Sequence, residues 1–211
     1  MSSRGLFITL EGGEGAGKSS TADALAQRIH ARGLTVVHTR EPGGTPLGER
    51  LRDVLLDLGE GNIALDPLSE TLLFMAARAE LVANVIAPAL DCGAIVLCDR
   101  FADSTRAYQG FGRGGDLDAI EQLNAVATRG LRTDLTILLD LPPAGGLARA
   151  SAPADRFGRE DASFHERVRE GYRTLAAREP DRWLVIDATQ PAEAVLDAVW
   201  QRVETLLPSQ G

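Results

Sequence analysis

The 211-residue chain holds one lysine, two cysteines, three histidines and two tryptophans, and aromatic residues make up only 5% of it. Each scarcity excludes something. Cys92 and Cys98 are too few for a disulfide framework, and no His or Cys stands beside them at zinc-ligand spacing, so both read as reduced core thiols. His30, His38 and His165 are scattered, and nothing pairs them with a nucleophile. No apolar run approaches the ~18 residues of a membrane span, and Met-Ser-Ser-Arg ahead of the first apolar run lacks a signal peptide's layout. Positive charge is also short: 22 basic residues against 30 acidic ones give a net charge of −8, which disfavours a duplex-binding face. These limits predict a soluble cytoplasmic protein with no nucleic-acid and no membrane partner. With 44% apolar residues the chain can bury one full core, so a single domain over 1–211 is expected.

The scarce lysine is the most informative residue present. Of the 22 basic residues, 21 are arginine, and the sole lysine, Lys18, sits in Gly12-Gly13-Glu14-Gly15-Ala16-Gly17-Lys18-Ser19. That octapeptide fits G-x-x-x-x-G-K-[ST], the Walker A phosphate loop. Backbone N–H groups left open by the glycines wrap a polyphosphate, Lys18 reaches the outer phosphates, and Ser19 can ligate Mg²⁺. A random chain of this length shows the pattern roughly one time in a hundred, so context decides its meaning. Leu6-Phe7-Ile8-Thr9-Leu10 in front is a β-favouring run. Behind it, Ala22, Leu25, Ala26 and Ile29 fall at helical spacing between Thr21 and Ala31. Strand, glycine loop and helix is the order the motif requires. A guanine-reading N-K-x-D motif cannot occur, because the only lysine is already used, and this weighs against a GTPase switch.

Further along, apolar strands and amphipathic helices alternate. Thr35 to Thr39 reads as the second strand, running into the loop Arg40-Glu41-Pro42-Gly43-Gly44. Thr45 and Pro46 then open a helix with a stripe at Leu47, Leu51, Val54, Leu55 and Leu58. Asp66-Pro67 starts a long helix to about Leu90 that Pro88 kinks or breaks. Ala94 to Leu97 is a strand buried on both faces, ending in Cys98-Asp99-Arg100, with a helix from about Ala102 to Gln109 after it. Asp116 caps a helix to Thr128, Leu135 to Leu139 is the fourth strand, and a short helix lies around Gly146 to Ala150. The polar stretch Ser151 to Asp161 has no apolar stripe and reads as a mobile surface loop. Ser163 with Glu166 forms a capping box for a helix to Glu179. Trp183 to Ile186 is the fifth strand and Pro191 to Leu207 the last helix. The predicted fold is α/β: a five-stranded parallel sheet with helices on both faces, carrying a P-loop.

Ligands of such sheets gather beyond the carboxyl ends of the strands, which brings several sites to one edge. Asp99 ends a strand in the Walker B position, where a carboxylate holds Mg²⁺ directly or through water. Arg40 and Arg100 emerge on the same edge, suited to binding a second phosphate. The alternative for Arg40, read alone, is a surface ion pair with Glu41. Phe74 and Arg78 share a helical face and could stack on a base and bond its edge, although an isolated Phe74 is more often core and Arg78 a solvated charge. Arg100, Ser104 and Tyr108 share another face, with Thr105 beside it. Gly110, Gly112 and Gly115 match G-x-G-x-x-G but follow a helix, so no dinucleotide site is read there.

Taken together, these residues resemble the thymidylate kinase family over nearly the whole chain. The resemblance rests on Gly12 to Ser19, Thr39-Arg40-Glu41-Pro42-Gly43-Gly44-Thr45, Phe74 with Ala76-Ala77-Arg78, Asp99-Arg100, Ser104-Thr105, Tyr108-Gln109-Gly110 and Asp187-Ala188-Thr189-Gln190-Pro191. It implies a P-loop NTPase fold of the nucleoside monophosphate kinase-like type, and transfer of the γ-phosphoryl group of ATP to dTMP with Mg²⁺, by a homodimer joined through its long helices. By similarity, ATP meets Gly12, Gly13, Glu14, Gly15, Ala16, Gly17, Lys18, Ser19 and Ser20, with Arg149, Thr189 and Gln190 near adenine. The dTMP site comprises Glu14 near the 3′-hydroxyl, Arg40 and Arg100 on the phosphate, Phe74 stacked on thymine, Arg78 and Thr105 at its polar edge, and Ser104 and Gln109. Tyr108 crowds the place of a ribose 2′-hydroxyl. Metal falls to Ser19 and Asp99, and the catalytic cations are Lys18, Arg40, Arg100 and a lid arginine. The phosphate loop carries Glu14-Gly15-Ala16 where some members have an arginine, so it looks like the bacterial type with a catalytic arginine in the lid. Arg156 is the candidate, with Arg149 and Arg159 as alternatives. Two other readings remain: a kinase for a different nucleoside monophosphate, and a regulatory protein that hydrolyses ATP without an acceptor.

Overall fold

The computed structural model describes residues 4–56, 65–149 and 155–208, so Leu58, Ser151 and Pro153 lie outside the described residues. Five strands, β1 (Phe7–Glu11), β2 (Val36–Arg40), β3 (Ile95–Asp99), β4 (Leu135–Asp140) and β5 (Trp183–Asp187), form one parallel sheet in the order β2-β3-β1-β4-β5. The central strands separate their side chains by the period of two. Ile8, Leu10, Ile95, Leu97, Ile137 and Leu139 meet helices α1 (Lys18–Ala31) and α9 (Ala192–Glu204) on one face. Phe7, Val96 and Cys98 point to the opposite face, against Leu81, Val82, Ile86 and Leu90 of the long helix. Both faces are covered, which is why β1, β3 and β4 read as continuous apolar runs rather than alternating ones.

The register β1–β3 pairs Leu10 with Asp99, and β2–β3 pairs Arg40 with Asp99. Three neighbouring strands therefore deliver the phosphate loop, Arg40 and Asp99 to one edge, the switch point where β1 lies between β3 and β4.

Several element boundaries differ from the sequence reading for identifiable reasons. Helix α1 begins at Lys18, three residues early, because Gly17 takes a left-handed conformation (φ 89°) and closes the loop itself. After helix α2 (Pro46–Leu56), helix α3 (Pro67–Leu81) continues through a π turn at Val82–Ile86 into α4 (Ala87–Asp91). Pro88 does not break this helix: the turn widened just ahead of it makes room for a ring that would otherwise strike the carbonyl four residues back. The whole helix, Pro67–Asp91, is long and apolar enough to cross a membrane by length and composition alone, contrary to the sequence expectation. Here it packs on β3 and on α6 (Leu117–Thr128) and carries buried Glu70 and Arg78.

Helix α5 (Ala102–Thr105) likewise runs on as a π-helical segment, Arg106–Gly112, so the helix extends past Gln109 into the expected loop. Helix α7 (Pro143–Arg149) starts earlier than expected. At helix α8 (Ala162–Arg178) the cap is Asp161, whose carboxylate accepts from Phe164 N–H at 2.7 Å; the Ser163 hydroxyl merely donates to that carboxylate, so no Ser163–Glu166 box forms. Cys92 is exposed, and only Cys98 is a core thiol.

Candidate active site

A cleft of about 200 Å³ opens at this strand edge, lined among others by Glu14, Lys18, Ser19, Arg40, Phe74, Asp99, Arg100, Ser104, Thr105, Tyr108 and Gln109. One end is the phosphate loop. Gly12, Gly15 and Gly17 take positive φ of 144°, 66° and 89°, a conformation that needs glycine, and a Cβ on Gly15 would also collide with the Gly146 carbonyl of α7. Lys18 Nζ donates to Gly13 O at 2.8 Å, folding the side chain back over the loop it serves. Burial, together with the positive charge of Arg100, lowers the Lys18 pKa. Ser19 Oγ donates to Asp99 Oδ2 at 2.6 Å, so the two predicted metal residues do meet. A hydroxyl and a carboxylate are hard oxygen donors that fit Mg²⁺, which takes few protein ligands and leaves its other positions to phosphate and water. Consistent with so sparse a set, no group of three acidic, His or Cys side chains gathers among the described residues.

Arg100 occupies the middle of the cleft. Its backbone is left-handed at φ 70°, unusual outside glycine. Its Nη2 donates to Glu14 Oε1 at 2.7 Å and Tyr108 Oη at 3.1 Å; its Nη1 donates to Gly12 O at 3.0 Å and to Ser104 Oγ and Tyr172 Oη at 3.3 Å each. Arg100, Ser104 and Tyr108 thus converge as their spacing predicts. Burial acts to raise Glu14, but Arg100 first, then Lys18 and the Tyr108 hydrogen bond, outweigh it and hold that carboxyl at about 2. Tyr108 Oη also donates to Glu14 Oε1 at 3.0 Å, so its hydroxyl has polar partners that a purely steric role would not need.

Other expected residues sit differently. Arg40 pairs with Glu49 at 2.9 Å, not with Glu41, and Glu49 is also held by Gly44 N–H. Glu41 turns inward to Arg78, which is only 1% exposed. The Arg78 guanidinium donates to both Glu41 oxygens, Asn124 Oδ1, Phe101 O and Thr105 Oγ1. It is neither a solvated charge nor on the cleft wall; it stands behind Thr105. Arg156 does not face the phosphate loop: its Nη2 lies 3.0 Å from buried Glu70, whose carboxylate also receives Gln109 Nε2 at 2.8 Å and Arg113 Nη2 at 3.3 Å. Its neighbours Asp155 and Phe157 do line the cleft, and Phe157 packs against Tyr108 and Phe74. The stretch read as a surface loop therefore contributes a buried aromatic from 155–161. At the far edge Arg149 Nη1 donates to Ala188 O at 2.9 Å, while Thr189 and Gln190 bond the Asp187 carboxylate, so these three residues do gather. Ser20 is exposed one residue past the loop.

Arg52 is a wall residue that sequence reasoning missed. It donates to Pro42 O at 2.9 Å, and burial together with the charge of Arg40 lowers its pKa. Its position outside the apolar stripe of α2 was the only available signal. A larger cavity, about 420 Å³, lies between α5, α6 and α8. Of its four arginines, Arg106, Arg132 and Arg182 are paired with Glu121, Glu179 and Asp103, and Arg178 is the fourth.

The same chemistry recurs in proteins of known family. The family model described as thymidylate kinase matches residues 10–199. A thymidylate kinase of Deinococcus radiodurans is 51% identical over 203 residues, covering 95% of this chain and 97% of that protein. One from Pseudomonas fluorescens is 53% identical over 207 residues, with 97% and 96% covered. Among solved structures, the thymidylate kinase of Ehrlichia chaffeensis superposes with a TM-score of 0.80 at 36% identity, covering 95% of this chain and 99% of that one. With strand order, phosphate loop and full-length similarity in agreement, the chain belongs to the thymidylate kinase family.

Proposed function

We propose that this chain transfers the γ-phosphoryl group of ATP to dTMP, giving dTDP and ADP, as one kinase unit working in the cytoplasm. The observation that carries this reading is a single cleft lined by Lys18 of the phosphate loop and by a second set of cations, Arg40, Arg52 and Arg100, with Phe74 in the same wall. A nucleotide switch has no use for the second set of cations. The attacking oxygen belongs to the acceptor's phosphate and is already anionic, so no general base is required. An acceptor oxygen forms the new bond to the γ-phosphorus while the bond to the β-bridging oxygen breaks, and ADP carries away the electron pair. Alignment and charge neutralisation are the protein's tasks. Ser19 and Asp99 would hold Mg²⁺, which supplies positive charge to the phosphates when bound.

Arg100 and Arg40 pair with Glu14 and Glu49, and the acceptor phosphate would take over some of those donors. Phe74 offers the base a stacking face. Thr105 and Gln109 meet its polar edge, with Arg78 fixing Thr105 from behind rather than touching the base. Arg156 reaches the transferring group by leaving Glu70. Arg149, Thr189 and Gln190 form the adenine end. Leu68 and Leu72, one turn apart on α3, are exposed, as are Leu47 on α2 and Val126 on α6, two helices that pack on α3; a second copy of the chain would cover Leu68 and Leu72.

The acceptor is tested by coupled ADP release with Mg-ATP and dTMP, dUMP, dGMP, dCMP, AMP or UMP at matched concentrations. Strong release with dTMP alone is expected; release with another acceptor, or without any, overturns the assignment. Arg156→Ala is expected to lower kcat by roughly 10²-fold while KM for dTMP changes little, as for loss of a transition-state contact. An unchanged kcat removes Arg156 from that role. In light scattering, wild type should have twice the monomer mass, and Leu68→Glu with Leu72→Glu should halve it; equal masses refute the α3 interface.

A further inference from the structure

Glu11, the last residue of β1, is wholly buried, yet it does not line the cleft and phosphoryl transfer as described makes no use of it. A buried carboxylate is costly unless donors surround it. Glu11 has three: Phe101 N–H at 2.9 Å on Oε1, and the hydroxyls of Ser104 at 2.6 Å and Tyr172 at 2.9 Å on Oε2. Every one of these donors adjoins Arg100. Phe101 is the next residue in the chain, and its tethered N–H pins the backbone just where Arg100 takes its left-handed φ of 70°. The Ser104 and Tyr172 hydroxyls lie 2.8 Å apart, and each also accepts from Arg100 Nη1 at 3.3 Å.

We propose that Glu11 is a positioning residue for Arg100, holding its strained backbone through Phe101 N–H and turning the lone pairs of Ser104 and Tyr172 toward the guanidinium. This rests on the reading of Arg100 as a ligand of the acceptor phosphate. The logic is one of proton direction. A hydroxyl carries one proton and two lone pairs. While Glu11 is ionised it accepts both hydroxyl protons, and the lone pairs remain for the Arg100 N–H groups. Once Glu11 is protonated, its own O–H must donate to one of those hydroxyls and compete with Arg100 for the same lone pairs. Residues 104 and 172 come from different helices, α5 and α8, so Glu11 also sets the distance between the elements that frame the guanidinium.

The switch between these arrangements falls in an accessible range. Burial first, then the charge of Asp103, pushes the Glu11 carboxyl up to about 7, against the opposing pull of the Ser104 hydrogen bond, Arg100 and the Tyr172 hydrogen bond. Lys18 and Cys98 also feel its charge. Because the folded-state value is raised, the proton is held below about 7 and lost above it, so Arg100 is best ordered on the alkaline side.

The test measures kcat and KM for dTMP from about pH 6 to 9 on full-length wild type, Glu11→Gln, Tyr172→Phe and Arg100→Lys. The acceptor phosphate itself titrates near pH ~6, a contribution common to all the proteins. Glutamine donates to the hydroxyls as the protonated acid does. Glu11→Gln should therefore raise KM for dTMP about tenfold at alkaline pH, the scale of losing hydrogen bonds to a charged group, with kcat changed far less. Its KM should also meet that of wild type at the acid end, so the wild-type step near neutrality is missing. Tyr172→Phe, which leaves Ser104 in place and keeps the ring, should show a smaller rise and a shallower step, and it serves if the glutamine variant does not fold. A wild-type KM and a wild-type pH profile in both Glu11→Gln and Tyr172→Phe overturn the proposal. Unchanged KM in Arg100→Lys would instead overturn the reading of Arg100 on which it rests.

Discussion

The site depends on the guanidinium of Arg100, a fixed positive charge brought to the edge of the sheet by a register. Strand β3 lies between β2 and β1, so the residue after Asp99 leaves the sheet beside both the phosphate loop and Arg40. From there Arg100 bonds the Gly12 carbonyl, Glu14, Ser104, Tyr108 and Tyr172, linking the loop to α5, the π-helical segment after it and α8. A planar fork with five donors can satisfy so many acceptors from one place; a lysine cannot. The near exclusion of lysine from the chain leaves the compact, flexible ammonium to Lys18 alone, where a single charge has to follow a moving phosphate.

A second buried charge system stands behind the first. Arg78 and Glu41 are almost fully buried, and their ion pair is completed by Asn124, Phe101 O and Thr105. Burial pushes the Glu41 carboxyl up against the opposing charge of Arg78. Such pairs add little net stability but penalise every arrangement that leaves one partner alone, by about 3–5 kcal/mol for removal of one side. The cost is directed: it fixes the loop after β2, helix α3, α6 and the start of α5 relative to one another, and Thr105 with them. Glu70, earlier on the same helix α3, does something similar, gathering Gln109, Arg113 and Arg156 on one carboxylate. Gln109 of the cleft wall and Arg156 therefore share a partner.

Much of this was legible in the sequence because it depends on local spacing. The phosphate loop, its flanking strand and helix, Asp99 at a strand end, and the convergence of Arg100, Ser104 and Tyr108 all follow from periodicity and glycine placement. What was illegible depends on which side chain meets which across the fold. Glu41 beside Arg40 suggests a local pair, yet strand geometry sends adjacent residues to opposite sides, so Glu41 finds Arg78 and Arg40 finds Glu49. Phe157 hides in a polar stretch because one aromatic makes no period. Arg156 carries no sequence mark of its partner Glu70, 86 positions earlier. The two π segments escaped notice because neither Val82–Ile86 nor Arg106–Gly112 breaks the apolar pattern.

The central claim is that Arg100 is the ordered receptor of the acceptor phosphate. Calorimetric titration of dTMP into wild type and Arg100→Lys, without ATP, tests it most directly, because no chemistry or lid motion intervenes. The account predicts a loss of roughly 10- to 100-fold in affinity, since charge is kept while the forked hydrogen bonds are lost. Equal affinity in the two proteins would contradict it, and the acceptor phosphate would then have to be held by Arg40 and Arg52 alone.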